Sequence, residues 1–119
     1  MTDRPELSPK DRMQIERHDV PARSAVIRSM DFKEVNLGYS QALAMEEAER
    51  CLDCKNPRCI DGCPVRVNIP QFIERLAEGN LEGAAESLLS DNALPCVTGR
   101  VCPQETQCEA LCIRAKKGE

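Results

Sequence analysis

The chain has 119 residues, so a single domain is the default, and only Phe32, Tyr39 and Phe72 are aromatic, too few large side chains for a sizeable apolar core. Its net charge is −4, with no basic block longer than Lys116-Lys117, which argues against nucleic-acid binding. No apolar run approaches membrane-spanning length and residues 1–10 carry no signal-peptide core, so no membrane association and a cytoplasmic, reducing compartment are expected.

The first 38 residues contain no cysteine. Ser8, with Pro9 at the first helical position and Asp11 three residues after Ser8, predicts a helix running to about His18. Pro21 stops it, and the stretch to Gly38 reads as an extended arm. Ser40 caps a second helix over 41–50, with Leu43, Ala44 and Ala48 at helical spacing. Residues 51–67 read as a loop broken by Pro57, Gly62 and Pro64. A helical hairpin comes next. Asn68 with Gln71 resembles a capping box, Phe72, Ile73, Leu76 and Ala77 form one stripe, and Gly79 ends the helix. Asn80 opens the next helix, striped by Leu81, Ala84, Ala85, Leu88 and Leu89, to about Ser90; residues 91–95 read as a turn. Cys108, Leu111, Cys112 and Ala115 share a helical face near the end. No segment alternates for long at period two, so the expected fold is all-α, with residues 1–38 as an N-terminal helix and arm and 39–119 as the main helical domain.

Eight cysteines fall in two groups: Cys51, Cys54, Cys59 and Cys63-Pro64, then Cys96, Cys102-Pro103, Cys108 and Cys112. In a reducing compartment such clustering points to metal rather than disulfides. The two-residue gap between Cys51 and Cys54 lets a tight loop aim both sulfurs at one centre. A run ending in a three-residue gap and Cys-Pro is the pattern of two-cluster ferredoxins, in which the last cysteine reaches the other cluster. On that logic Cys51, Cys54 and Cys59 hold one iron–sulfur cluster. Cys63 joins a second with cysteines of the later group, and one distant cysteine returns to complete the first. Metal-binding free energy would then replace much of the missing core. Two zinc sites are the rival reading, but zinc ribbons favour paired CxxC knuckles and only one CxxC is present.

Other residues admit blander readings. His18 reads as a solvated surface residue, and Glu46, Glu47 and Glu49 as the solvent face of a helix. Arg58, Arg66 and Arg100 lie close to cysteines and either offset cluster charge or are ordinary surface arginines.

The stretch from Cys51 to Val65, then Asn68-Ile69-Pro70-Gln71-Phe72-Ile73, resembles the N-terminal iron–sulfur domain of the glutamate synthase small (beta) subunit. Residues 32–39, 92–95 and the run from Gly99 to Cys112 resemble it too. Similar domains open dihydropyrimidine dehydrogenase and the NAD-linked ferredoxin:NADP oxidoreductases. The resemblance implies a helical, ferredoxin-like domain with two cysteine-rich loops and two 4Fe-4S clusters. By position, one cluster would take Cys51, Cys54, Cys59 and Cys112, and the other Cys63, Cys102 and Cys108. The second cluster's fourth ligand in relatives is a Gln or Glu beyond the last cysteine, for which this chain has no matching position. Cys96 departs from the family pattern, since relatives place an extra cysteine where Thr98 stands; it is expected to be a non-ligand, or a substitute ligand for the second cluster.

The family continues into FAD and NAD(P)H domains. No GxGxxG fingerprint occurs here, so the chain reads as a piece excised from such a protein. The resemblance thus implies a one-electron relay between flavin and a partner subunit, the glutamate synthase large subunit or another redox partner, with no catalytic residue and no turnover in this piece alone. Two alternatives remain: the front module of another flavoenzyme, and a zinc-stabilised subunit-docking module.

Overall fold

The computed structural model describes residues 6–117. Among them the fold is all-α, as expected: helices and short 3₁₀ turns, with Ala22 and Asn36 forming an isolated antiparallel bridge. The elements are α1 (Pro9–Arg12), α2 (Ala25–Arg28), α3 (Gln41–Glu49), α4 (Arg58–Gly62), α5 (Ile69–Ala77), α6 (Leu81–Asp91) and α7 (Pro95–Val101), followed by 3₁₀ turns at Gln104–Thr106, Glu109–Leu111 and Ala115–Lys117.

The capping chemistry expected at three helix starts is present. Ser40 accepts from the Leu43 amide, Asn68 from Gln71 and Asn80 from Gly83, each satisfying a donor that a helix start leaves open. Gly79 ends α5 at φ +78°, a left-handed conformation that costs glycine little. Helix α5 packs on α6 on one side and on α3 on the other, and this trio is the scaffold of the molecule. Its buried centre is small: Ala48, Val67, Ala84 and Ser87. Small residues let the helices approach closely but bury little area, so apolar burial alone holds the fold weakly.

Several elements depart from the sequence reading. The first helix starts at Ser8 with its full capping box but stops at Arg12, short of His18. The arm contains a helical turn, α2, capped by Ser24. The 51–67 loop contains α4, and residues expected after the 91–95 turn form α7, with Pro95 in its first turn. Near the end, the expected helical face is broken into separate 3₁₀ turns. Gln107 (φ −116°, ψ −105°) and Cys112 (φ −70°, ψ 142°) both leave the helical region.

The arm is fastened to α3 by polar contacts. Tyr39 donates its hydroxyl to the His18 carbonyl at 2.6 Å. The His18 amide donates to Glu47 at 3.0 Å, and its Nδ1 lies 3.0 Å from the same carboxylate. Glu47 also accepts from Arg50. Burial pushes the Glu47 carboxyl up, but these hydrogen bonds outweigh it and hold the group below its ordinary value. His18 and Glu47 are therefore half-buried partners, whereas sequence alone assigns both to the solvated surface.

Candidate metal centre

The two cysteine groups meet through a short antiparallel crossing. Helix α4 carries Cys59 in its first turn and ends at Cys63. It packs on the turn Glu109–Leu111, which Cys108 opens and Cys112 closes. At one end of the crossing, Cys112 is near enough for its charge to be felt at Cys59. At the other, Gly62 lies against the backbone of the opposite segment: a Cβ there would stand 2.7 Å from the Gln107 carbonyl oxygen and 3.0 Å from the Cys108 Cα. Close approach, not backbone dihedral, requires glycine at 62.

Cys51, Cys54, Cys59 and Cys112 gather around the first end. Burial pushes the Cys51 thiol up, and the nearby Cys54 and Cys112 add to the shift. Burial likewise pushes Cys59 up to about 11, with Cys51 and Cys112 contributing. Half-buried sulfurs that crowd one another resist ionising until a cation joins them, and a metal centre supplies that cation. Asp53, inside the CxxC turn, adopts φ 46°, the left-handed turn that folds Cys54 back beside Cys51. Amides are aimed at the sulfurs as well: that of Asp53 at Cys51 and that of Ile60 at Cys59. A cleft of about 510 Å³ opens here, with Cys51, Cys59 and Cys112 on one side and Phe72, Ile73 and Leu76 of α5 on the other. The stripe read as plain core thus also walls the sulfur site.

At the second end, Cys102 caps α7 and donates its thiol to the Gln107 side-chain oxygen at 3.5 Å. Burial pushes Cys108 up, and both Glu109 and Cys102 add to the shift. Gly62, the residue before Cys63, brings the end of α4 against Gln107 and Cys108. Cys96 stands apart. It is exposed in the first turn of α7, while Cys102 caps the far end, a rise of about 9 Å along the axis.

The arginines singled out in the sequence pair with surface carboxylates, and Arg100 also donates to the Cys96 carbonyl at 2.7 Å. Arg58 and Arg66 pair with Asp61 at 3.5 and 3.3 Å, and Arg100 pairs with Glu34 at 2.6 Å, all on the surface. Two others, unremarkable in the sequence, reach the first sulfur group. Arg12 donates to the carbonyls of Glu49 and Cys51, and the buried Arg114, two residues after Cys112, donates to that of Arg50. Their role follows from backbone geometry, which no side-chain pattern announces.

The residues fit an iron–sulfur group in donor chemistry. An all-sulfur donor set suits iron–sulfur clusters and zinc alike. The cleft beside Cys51, Cys59 and Cys112 leaves room for a polynuclear cage.

Comparison with known proteins agrees. Residues 28–119 match the family described as dihydropyrimidine dehydrogenase domain II, 4Fe-4S cluster. The chain is similar to the glutamate synthase (NADPH) small chain of Escherichia coli K12, 41% identical over 82% of this chain and 21% of that one. It is similar to the corresponding small chain of Azospirillum brasilense, 41% identical over 76% of this chain and 19% of that one. The NAD-dependent dihydropyrimidine dehydrogenase subunit PreT of Escherichia coli K12 is 39% identical over 69% of this chain and 20% of its own length. The chain therefore spans about a fifth of the length of these relatives.

Proposed function

The chain belongs to the 4Fe-4S family of dihydropyrimidine dehydrogenase domain II, and from that premise we propose that it is the electron-relay domain of a larger NADPH-dependent oxidoreductase of the glutamate synthase small-subunit kind. The observation that carries the reading is the crossing of α4 with the turn Glu109–Leu111, which brings the two cysteine stretches together at Cys59 and Cys112 and at Gly62 and Cys108. Cys51, Cys54, Cys59 and Cys112 hold the first 4Fe-4S cluster. Cys63, Cys102 and Cys108 hold the second, its fourth ligand supplied from beyond Glu119; Cys96, exposed in the first turn of α7 away from Cys102, is not one of its ligands. When bound, such clusters supply one-electron storage without making or breaking substrate bonds.

The chain's own part is to hold the sulfurs and tune them. The Asp53, Ile60 and Glu109 amides donate toward Cys51, Cys59 and Cys108, stabilising negative charge on sulfur and favouring the reduced state. Among the described residues no helix is long and apolar enough to cross a membrane, which accords with a cytoplasmic enzyme. Exposed apolar side chains concentrate in the arm (Val26, Met30, Phe32, Leu37) and on α7 (Val97, Val101). We assign this surface to the FAD and NAD(P)H domains, for which the greater length of the relatives leaves room. With the clusters and a flavin bound, the two sulfur groups would offer one-electron stations between that flavin and the large subunit of a glutamate synthase.

The test is Cys59→Ser in the intact enzyme. Flavin reduction by NADPH should persist while electron delivery to the partner subunit falls at least a hundredfold, with the subunits still associated. Retained delivery with lost association would overturn the relay and leave a docking module.

A further inference from the structure

Helix α3 ends at Glu49, and the last carbonyls of a helix have no partner within it. The chain then runs directly into Cys51. The carbonyls at this exit are held by side chains. Arg12 donates through Nη1 to Glu49 at 3.2 Å and to Cys51 at 3.0 Å. Arg114 donates through Nη1 to Arg50 at 3.4 Å and to Arg12 at 2.8 Å, and through Nη2 to Ile15 at 2.9 Å. The Arg114 residue is only 6% exposed, and it leaves the backbone two residues after Cys112.

We infer that Arg12 and Arg114 are positioning residues, a guanidinium clasp that sets Cys51 and Cys112 at the spacing the first cluster requires and places positive charge beside it. The inference rests on the ligand set proposed above. The clasp joins the segment before Cys51, the segment after Cys112 and α1. A planar group with several fixed donors suits carbonyls from two segments at once better than an ammonium does. The buried charge also has a use. A cage held by thiolates is negative, and a guanidinium in a water-poor setting favours the more negative, reduced state. Arg12 precedes residues 28–119, the part matched by the family, so the arm supplies half of the clasp.

The experiment uses the full chain, loaded anaerobically with iron and sulfide. Arg114→Met, Arg114→Lys and Arg12→Met are compared with Arg58→Gln, a surface control paired with Asp61. Iron and sulfide content, the paramagnetic resonance of the reduced first cluster, its midpoint potential, its loss rate to a chelator and the far-ultraviolet helical signal are recorded. Both Arg114 variants should lose the first cluster at least tenfold faster than the control, without rescue by lysine. Arg114→Met should also shift the midpoint to more negative values. Arg12→Met should act in the same direction and less strongly, because α1 lies at the periphery and its loss leaves the helical signal intact. Loss rates and midpoints equal to the control would overturn the clasp while leaving the cluster assignment standing, and so would cluster loss that only tracks loss of helix. A parent chain that takes up no iron–sulfur cluster would overturn the ligand set, and the clasp with it.

Discussion

Helices α5 and α6 hold each other through packed side chains, with Ala84 and Ser87 buried between capped helix ends. Segments 51–67 and 95–117 meet differently. They consist of short helices and 3₁₀ turns, bury few apolar side chains, and touch through backbone at Gly62 and through neighbouring sulfurs. The first region carries its own cohesion. On the proposed ligand set, the second draws its cohesion from what the cysteines hold, since metal-binding free energy is folding free energy where no preformed site exists. A radius of gyration of 15.2 Å, against roughly 13–14 Å for a compact domain of this length, accords with a molecule that packs tightly in one half only.

Removing the clusters should separate the two regions most strongly. Amide exchange in the metal-free chain should be slow in α5 and α6 and near the unprotected rate in 51–67 and 95–117, with reconstitution restoring protection in the second region alone. Equal protection in both regions without metal would mean that the cysteine half is an ordinary packed domain. Gly62→Ala comes next. Its Cβ meets backbone, which does not move aside as a flexible side chain would, so the crossing should open and the second cluster be lost, with about 2 kcal/mol of destabilisation in the loaded chain by chemical denaturation. Ala84→Leu should cost a similar amount, about 1–3 kcal/mol, but leave iron and sulfide content unchanged, because the strain falls in the scaffold. Cys96→Ser should leave both iron content and stability unaltered, and in the loaded chain Cys96 should be alkylated well ahead of the other cysteines.

The smallest effect belongs to the arm. The Glu47 carboxyl is held below its ordinary value, so its contribution is fully present above the unfolded carboxylate range and fades as pH falls through the lower folded value. Glu47→Gln should cost about 1 kcal/mol at neutral pH and remove that acid-side dependence, measured by denaturation at pH 7 and below pH 4.

The two regions are also unequally legible in the sequence. Helices α3, α5 and α6 are readable to within a residue or two, because caps at Ser40, Asn68 and Asn80 and apolar stripes are local signals. Helices α2, α4 and α7 are too short for a stripe to emerge, and α4 hides among the breakers that flank it. Cysteine spacing points to iron–sulfur chemistry and to a crossing between remote groups, since ligand gaps are fixed by the cage rather than by packing. The Gly62 approach, the walling of the sulfur site by Phe72, and the reach of Arg12 and Arg114 depend on long-range backbone placement. His18 and Glu47 look like surface residues in the sequence for the same reason: their burial comes from the arm folding over α3, far apart along the chain.

The proposed sharing of iron–sulfur cages by cysteines from two distant stretches underlies both the cohesion expected of the second region and the relay. Iron and acid-labile sulfide, assayed together with the low-temperature paramagnetic resonance of the anaerobically reconstituted and reduced chain, test this most directly. The prediction is iron and sulfide in equal amounts, a reduced-cubane resonance, and loss of the first cluster's signal in Cys112→Ser, although Cys112 lies 53 residues beyond Cys59 in sequence. Zinc alone, iron without sulfide, or a Cys112→Ser spectrum identical to that of the parent would contradict it.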